Sequence, residues 1–412
     1  MATRVRSYSK INLGLAIGPV RDDGFHGLVT LYQTLALCDV VTVGVQKREF
    51  LGVSGQVVGG SAREATQALK YGDSGLDEAE SRMTPSGVGG ISRITLTTNH
   101  PGVPTDGRNT AWKIMELALE RLGVTAEVAI HIEKELPVQG GMGAGSANAA
   151  AALLGLEREL GVEVPGRMEI AAEVGSDVPL FLVGGAVLGT GRGELVSEMP
   201  DFAATWCVVA VPEVGVSTPR AFRDWDEIHQ PTSQNRDVGQ PDSSGRLTSA
   251  TEPDTLSELS HAYASVFGVR PSTASASDTS GIVRGPISSP GKQQAQGDTR
   301  NDLAEGTLLA LVRTGIENDF EQVVFPQYPL LREIKHELMG ISVGSSTTDG
   351  PADSSGVAIY AARSGSGSAL FGLYRSETDA KAAQQRVQAT GCKALLTKTL
   401  PRQEYWRRMF AE

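Results

Sequence analysis

Residues Pro137 to Ala150 read PVQGGMGAGSANAA, a run that packs four glycines between apolar flanks and then becomes rich in alanine. A Walker-type phosphate loop needs a lysine after its last glycine, whereas here Gly145 is followed by Ser146 and Ala147. A Rossmann turn needs G-x-G-x-x-G after the first strand of a βαβ unit. Gly141, Gly143 and Gly145 are instead spaced by two throughout, and no acidic residue ends a following strand at the expected distance. What remains is a strand ending near Leu136, a glycine turn, and a helix starting near Ser146. Unpaired N–H groups at a helix start, with those of a loop free of bulky side chains, can hold a phosphate without a lysine. The same glycines also suit a sharp turn that lets a helix press on a sheet, so the run taken alone leaves both readings open.

Outward from this run the pattern is mixed α and β. EVAIHIEKEL (127–136) alternates as a strand with one buried face does, and VTVGV (41–45) and ITLTT (94–98) are short β-branched runs. NTAWKIMELALERLG (109–123) repeats apolar residues every three or four positions and stops at a glycine; PGRMEIAAEVG (165–175) is a second helix of that style. Residues 308–340 carry two helical patterns separated by a turn at Pro326 to Pro329. GVAIYAARSGSGSALFGLY (356–374) gives a strand, a glycine–serine turn and a strand. Three stretches are too polar to bury a core and read as inserts: Ser54 to Gly90, about Gln230 to Gly297, and Ser342 to Gly356. One helix is predicted inside the second, over DTLSELSHAYASVFGV (254–269).

At 412 residues with 40% apolar content, the chain can bury two or three domain cores. Its net charge of −11 and lack of a basic block argue against a nucleic-acid surface. A small anionic substrate can still be held by local backbone dipoles. Cys38, Cys207 and Cys392 share no C-x-x-C spacing and suggest neither a disulfide framework nor a zinc site. The N-terminus lacks an apolar run of signal length and nowhere do about 18 apolar residues run together, so a cytoplasmic protein without membrane spans is expected.

Lys10 stands in SKINLGL, Asp177 in GSDVPLFLVGGAVLGTGRGE (175–194), and RSGSGSALFG (363–372) is a second turn of small residues. In this order these segments and the glycine run resemble the GHMP kinase superfamily of small-molecule kinases. YSKINLGLAIGPVRDDGFHGLVTLYQTL (8–35), GSDVPLFLVGGAVLGTGRGE and ENDFEQVVFPQYPLLREIK (317–335) narrow the resemblance to the branch that phosphorylates a cytidine-diphosphate-linked methylerythritol.

The resemblance implies a two-domain α+β fold. An N-terminal ribosomal protein S5 domain 2-like domain (1–200) would precede a C-terminal ferredoxin-like α/β domain (201–412) bearing a flexible insert at about 230–297. It implies ATP-dependent phosphorylation of the 2-hydroxyl of 4-diphosphocytidyl-2-C-methyl-D-erythritol in the non-mevalonate isoprenoid precursor pathway, with Mg²⁺, by a monomer or homodimer. Asp177 matches the catalytic base and Lys10 the cation beside it. Pro137, Gly140, Gly141, Gly143, Gly145, Ser146, Ala147 and Asn109 match nucleotide contacts, with Ser146 also offered to Mg²⁺. Asn12 matches a residue near the erythritol, His26 one that hydrogen-bonds the cytosine, and Phe25 and Phe222 the aromatics that stack on it, Phe25 standing where tyrosine is usual. Ala144, Ala147 and Gln139 depart from the usual phosphate motif. Two alternatives stay open: another GHMP kinase of the homoserine or mevalonate type, which would call for an Arg or Lys in the acceptor pocket, and a catalytically silent nucleotide-binding relative.

Overall fold

The computed structural model describes residues 2–47, 83–86, 90–138, 140–229, 317–340 and 356–411. Outside them lie the expected inserts at 230–297 and 342–355, most of the one at 54–90, the helix expected at 254–269, the start of the helical pattern at Leu308, and Gln139.

Strands β1 (Thr3–Val20) and β2 (His26–Lys47) form a long antiparallel hairpin. The sequence RDDGF makes its turn. The Phe25 N–H donates to Asp23 Oδ1 at 3.1 Å, and Gly24 adopts a left-handed conformation. The C-terminal half of β2 pairs with β5 (Ala126–Glu133) and its N-terminal half with β6 (Ala186–Thr190), which pairs in turn with β7 (Leu195–Glu198). Beyond β5 lie β4 (Gly90–Thr98), parallel to it, and the edge strand β3 (Met83–Ser86). Residues 83–86 thus form a strand inside a stretch expected to be insert. Its Pro85 is tolerated because the strand is at the sheet edge.

Helices α1 (Thr110–Leu122) and α2 (Ala144–Leu160) cover one face of this sheet, followed by α3 (Arg167–Val174) and α4 (Val178–Phe181). Asn109 caps α1 by accepting the Ala111 N–H, and Gly123 ends it in the left-handed region, as the sequence predicts. The alanines of α2 let it lie close to the sheet. A Cβ on Gly155 would stand 2.6 Å from Val43 Cγ2, so nothing larger than glycine fits there without repacking.

A second sheet has the order β11 (Lys393–Lys398), β8 (Trp206–Val211), β10 (Leu370–Tyr374), β9 (Tyr360–Arg363), all antiparallel. Its strands alternate with period two between two cores. Val208, Ala210, Leu370 and Tyr374 face a cluster built with α5 (Thr218–His229), α6 (Phe320–Gln327), α7 (Pro329–Met339) and α8 (Glu377–Ala389). Cys207, Val209, Phe371 and Leu373 face Ile11, Leu13, Leu31 and Leu35 of the first sheet. The two sheets are therefore joined by a continuous apolar layer. The chain then returns through α9 (Arg402–Arg408), and β12 (Phe410–Ala411) pairs with β1.

Three boundaries differ from expectation. β5 ends at Glu133 rather than near Leu136, because the Glu135 and Leu136 N–H groups donate to Asp39 Oδ1 (2.8 and 2.7 Å). α2 starts at Ala144 rather than near Ser146, since left-handed Gly143 closes the turn and its carbonyl accepts the Ala147 N–H. The break between α6 and α7 falls on Tyr328 alone, with Pro326 inside the last turn of α6.

Cys38, Cys207 and Cys392 are unpaired, with Cys207 fully buried. Among the described residues no helix is long and apolar enough to cross a membrane.

Candidate active site

A cavity of about 1060 Å³ lies beside the hairpin of the first sheet, closed by the glycine turn, α5 and the turn at 365–366 of the second sheet. Lys10, Asn12, Phe25, His26, Asn109, Pro137, Gly140, Gly141, Gly143, Gly145, Ser146, Asp177 and Phe222 all line it. Of the residues predicted for the site only Ala147 is elsewhere. It is buried in the first turn of α2 and its N–H is taken by Gly143 O at 2.8 Å, so it has neither side chain nor donor to offer a ligand.

At the floor, Lys10 projects from the middle of β1 with 3% of its side chain exposed. Its ammonium donates to Asn12 Oδ1 (2.6 Å) and Gly141 O (2.9 Å), and stands 3.4 Å from Asp177 Oδ2. A buried ammonium is costly unless its donors are satisfied and a counter-charge is near, and this arrangement meets both conditions. Asp177 lies between Gly175, which ends α3, and α4; its side chain is 31% exposed. The Tyr32 hydroxyl, from β2, donates to Asp177 Oδ1 at 3.0 Å. Burial, then the charge and hydrogen bond of Asp177, push the Tyr32 phenol well above its ordinary range, so it keeps its proton.

The carbonyls of the glycine turn are taken by protein donors. Gly140 O accepts the Ala369 N–H, Gly141 O accepts Lys10 Nζ and Ser364 Oγ, and Met142 O accepts the Lys10 N–H. The N–H groups of Ala144, Gly145 and Ser146 at the start of α2 have no partner among the described residues. Three carbonyl oxygens are thus bound and three helix-start donors are open, the polarity an anion requires.

The turn also meets the small-residue turn of the second sheet. A Cβ on Gly141 would stand 2.5 Å from Ser364 O, and one on Gly367 2.5 Å from Gly141 Cα. Gly141 is further held at φ 77°. The second turn is organised by Arg363, whose buried guanidinium donates to the carbonyls of Phe320, Ser366 and Gly367, and by Asn318, whose amide donates to Arg363 O and Gly365 O. Burial pulls Arg363 down to about 10. The first turn is anchored by a buried ion pair, Lys134 Nζ to Asp39 Oδ2 at 2.6 Å.

At the other end, Phe25 is 54% exposed with the Arg192 guanidinium 5.1 Å from its ring centre. His26 and Phe222 differ from expectation. The imidazole Nδ1 is 2.8 Å from Gly18 O and Nε2 is 3.1 Å from Asp226 Oδ1, so both ring nitrogens face protein acceptors. Phe222 stacks on that imidazole (5.1 Å, 11°) and sets its edge to Phe320. Asn109 likewise uses its side-chain oxygen to cap α1 and its amide to donate to Pro104 O. Tyr32, Asp226, Arg192, Lys134 and Arg363 were not legible as site residues. Each sits at an ordinary strand, turn or helix position and gains meaning only from its partners.

The model of the GHMP kinases N terminal domain matches residues 109–185, the span from the α1 cap through the glycine turn and Asp177. The chain is 34% identical over 294 residues to the 4-diphosphocytidyl-2-C-methyl-D-erythritol kinase of Kineococcus radiotolerans, covering 69% of this chain and 78% of that relative. It is 35% identical over 243 residues to the protein of the same name from Corynebacterium efficiens, covering 57% and 65%. Among solved structures, that of a 4-(cytidine 5'-diphospho)-2C-methyl-D-erythritol kinase superposes with a TM-score of 0.53 at 21% identity, over 96% of this chain and 98% of the other, a likeness of fold. Sequence, fold and the order of the site segments agree, and the chain belongs to the 4-diphosphocytidyl-2-C-methyl-D-erythritol kinase family of the GHMP kinases.

Proposed function

We infer that this chain transfers the γ-phosphoryl group of ATP to the 2-hydroxyl of 4-diphosphocytidyl-2-C-methyl-D-erythritol. The observation that carries the reading is one cavity holding both a Lys10–Asp177 pair and the open N–H groups of α2. Asp177 accepts the hydroxyl proton as the oxygen attacks the γ-phosphorus, and the bond from that phosphorus to the β,γ-bridging oxygen breaks to release ADP. Lys10 holds negative charge at that point, and the N–H groups of Ala144, Gly145 and Ser146 hold phosphate oxygens. Most of the acceleration in such transfers comes from positioning and charge stabilisation, so the turn and the base contribute together.

Mg²⁺ would be offered Ser146 Oγ at the helix start. The described residues contain no group of three or more His, Cys, Asp or Glu able to cage a metal, which suits an ion held mainly by phosphates and water. When bound, it neutralises charge on the transferred phosphoryl group. Asn12 lines the cavity beside Lys10, its oxygen accepting from Lys10 Nζ and its amide donating to Thr30 Oγ1, and would lie next to the erythritol as part of the cavity floor. Phe25 offers an exposed face to the cytosine. His26 and Phe222, stacked on each other, form the adjoining wall instead of a second slab across a slot. We take residues 1–200 and 201–412 as the two domains, with the terminal strand crossing back to the first sheet.

The test is ADP release with a panel of acceptors. Turnover with the cytidylated methylerythritol is expected. Turnover with homoserine or mevalonate in its place would overturn the acceptor assignment, and nucleotide binding without turnover on any alcohol would overturn the enzymatic reading.

A further inference from the structure

Tyr32 lies in LVTLYQTL, in the N-terminal half of β2 opposite β6, and is 2% exposed, so by position it is a core aromatic. Its ring belongs to the core of the first sheet, but its hydroxyl end meets polar and glycine residues. A Cβ on Gly189 would stand 2.6 Å from Tyr32 Cε2, and one on Gly193 2.5 Å from the Tyr32 hydroxyl. Two glycines of GTGRGE, a stretch that marks this family in the sequence, therefore leave the space this ring fills. The hydroxyl reaches the cavity and donates to Asp177 Oδ1, and the Lys10 ammonium stands 5.7 Å from the ring centre.

A carboxylate so exposed has a soft terminal torsion. Lys10, at 3.4 Å from Oδ2, acts as a point charge and gives little direction. The phenol is a directional donor that binds one oxygen. Among the described residues, Arg192 and Glu194 of the β6–β7 turn, paired at 3.6 Å, also stand near this cluster, and Glu194 adds to the upward push that burial and Asp177 give the phenol.

We propose that Tyr32 is a positioning residue for phosphoryl transfer: its hydroxyl fixes the Asp177 carboxylate in the orientation that meets the acceptor hydroxyl, with the missing side chains of Gly189 and Gly193 leaving room for its ring and hydroxyl. The proposal rests on the reading of Asp177 as the base. It predicts a loss in turnover rather than in binding.

The experiment is a double-mutant cycle on the full chain: wild type, Tyr32→Phe, Asp177→Asn and the double variant, with ADP release followed at saturating ATP and acceptor. Tyr32→Phe is expected to lower kcat about tenfold, the factor given by one hydrogen bond to a charged group, with both KM values within about twofold. In the Asp177→Asn background the same change is expected to alter kcat by less than about twofold. An equal factor in both backgrounds would mean that the hydroxyl serves packing, and an unchanged kcat in Tyr32→Phe would mean that it serves nothing in catalysis; either result overturns the proposal. Tyr32→Met, a second side chain without the hydroxyl, guards against a folding artefact and is expected to repeat the pattern. The cycle is run with whichever acceptor the wild type uses, so a wrong acceptor assignment leaves this test intact. A wild type silent toward every acceptor overturns both readings.

Discussion

The two small-residue turns of this molecule look alike in sequence and do different things. GGMG (140–143) opens a long helix, has its carbonyls bound by protein donors and leaves helix-start N–H groups without a partner among the described residues, on residues that line the cavity. SGSGS (364–368) joins two strands, opens no helix, and is held from behind by Arg363 and Asn318. Each is anchored by a buried charge, but of different kinds. Lys134 and Asp39 neutralise each other under the first turn, whereas the Arg363 guanidinium donates to three carbonyl oxygens, its Nε has no partner among the described residues, and the nearby Glu321 carboxylate is taken by the Arg363 backbone N–H and Lys335. The second turn is thus held by a guanidinium that binds carbonyls directly, with Glu321 as the nearby carboxylate. Where they meet, the glycines serve neither ligand nor flexibility; they let two backbones touch. Glycine in such a motif has two causes, and only one concerns phosphate.

The largest expected effect falls on chemistry and leaves both turns intact. Asp177→Asn should lower kcat by about a hundredfold or more with KM for ATP nearly unchanged, because a general base contributes on that scale and the N–H donors do not involve it. Near-normal turnover would remove Asp177 from the base role. Next comes the contact between the turns. Gly141→Ala combines a left-handed backbone with a Cβ 2.5 Å from Ser364 O, and neither group can yield without separating the turns. An increase of about tenfold or more in KM for ATP, with about 2 kcal/mol of destabilisation in denaturant unfolding, is expected. An intact KM would mean that the second turn does not help to shape the nucleotide end.

Much of this was legible in the sequence because periodicity and caps are local. The alternation of EVAIHIE fixed a half-buried strand, and Asn109 and Gly123 marked the ends of α1. Lys10, Asp177 and the glycine run were found because they stand in stretches that resemble a known family, and the fold brings them into one cavity. What the sequence hid depends on pairing across long separations. Asp226 meets His26 and Tyr32 meets Asp177 only once helical segments have packed against the hairpin, and neither pair leaves a pattern along the chain. His26 was matched to a cytosine contact by resemblance, and no local signal announces that Gly18 O and Asp226 face its ring nitrogens.

Arg363 sharpens the comparison at the level of stability. Arg363→Met removes donors from three carbonyls at once and leaves them buried, so a loss of about 2 to 3 kcal/mol is expected in denaturant unfolding. Restoring charge without the planar fork, as in Arg363→Lys, should recover less than half of it, since one ammonium cannot reach three carbonyls placed for a guanidinium. Full recovery would assign the effect to charge alone.

The smallest effect tests the first turn itself. Gly145 sits in the first turn of α2 without a left-handed backbone, and a Cβ there would meet only Thr110 Oγ1, at 3.5 Å, an ordinary contact. The protein by itself therefore has no need of glycine at 145. Alanine is the better helix former, so Gly145→Ala should leave the unfolding midpoint unchanged or raise it slightly. If the phosphates are held by the N–H groups with no oxygen in the space of that Cβ, KM for ATP stays within about threefold. If it rises tenfold while stability holds, the phosphate lies against that face of the helix, and glycine at 145 is there for the ligand as glycine at 141 is there for the neighbouring turn.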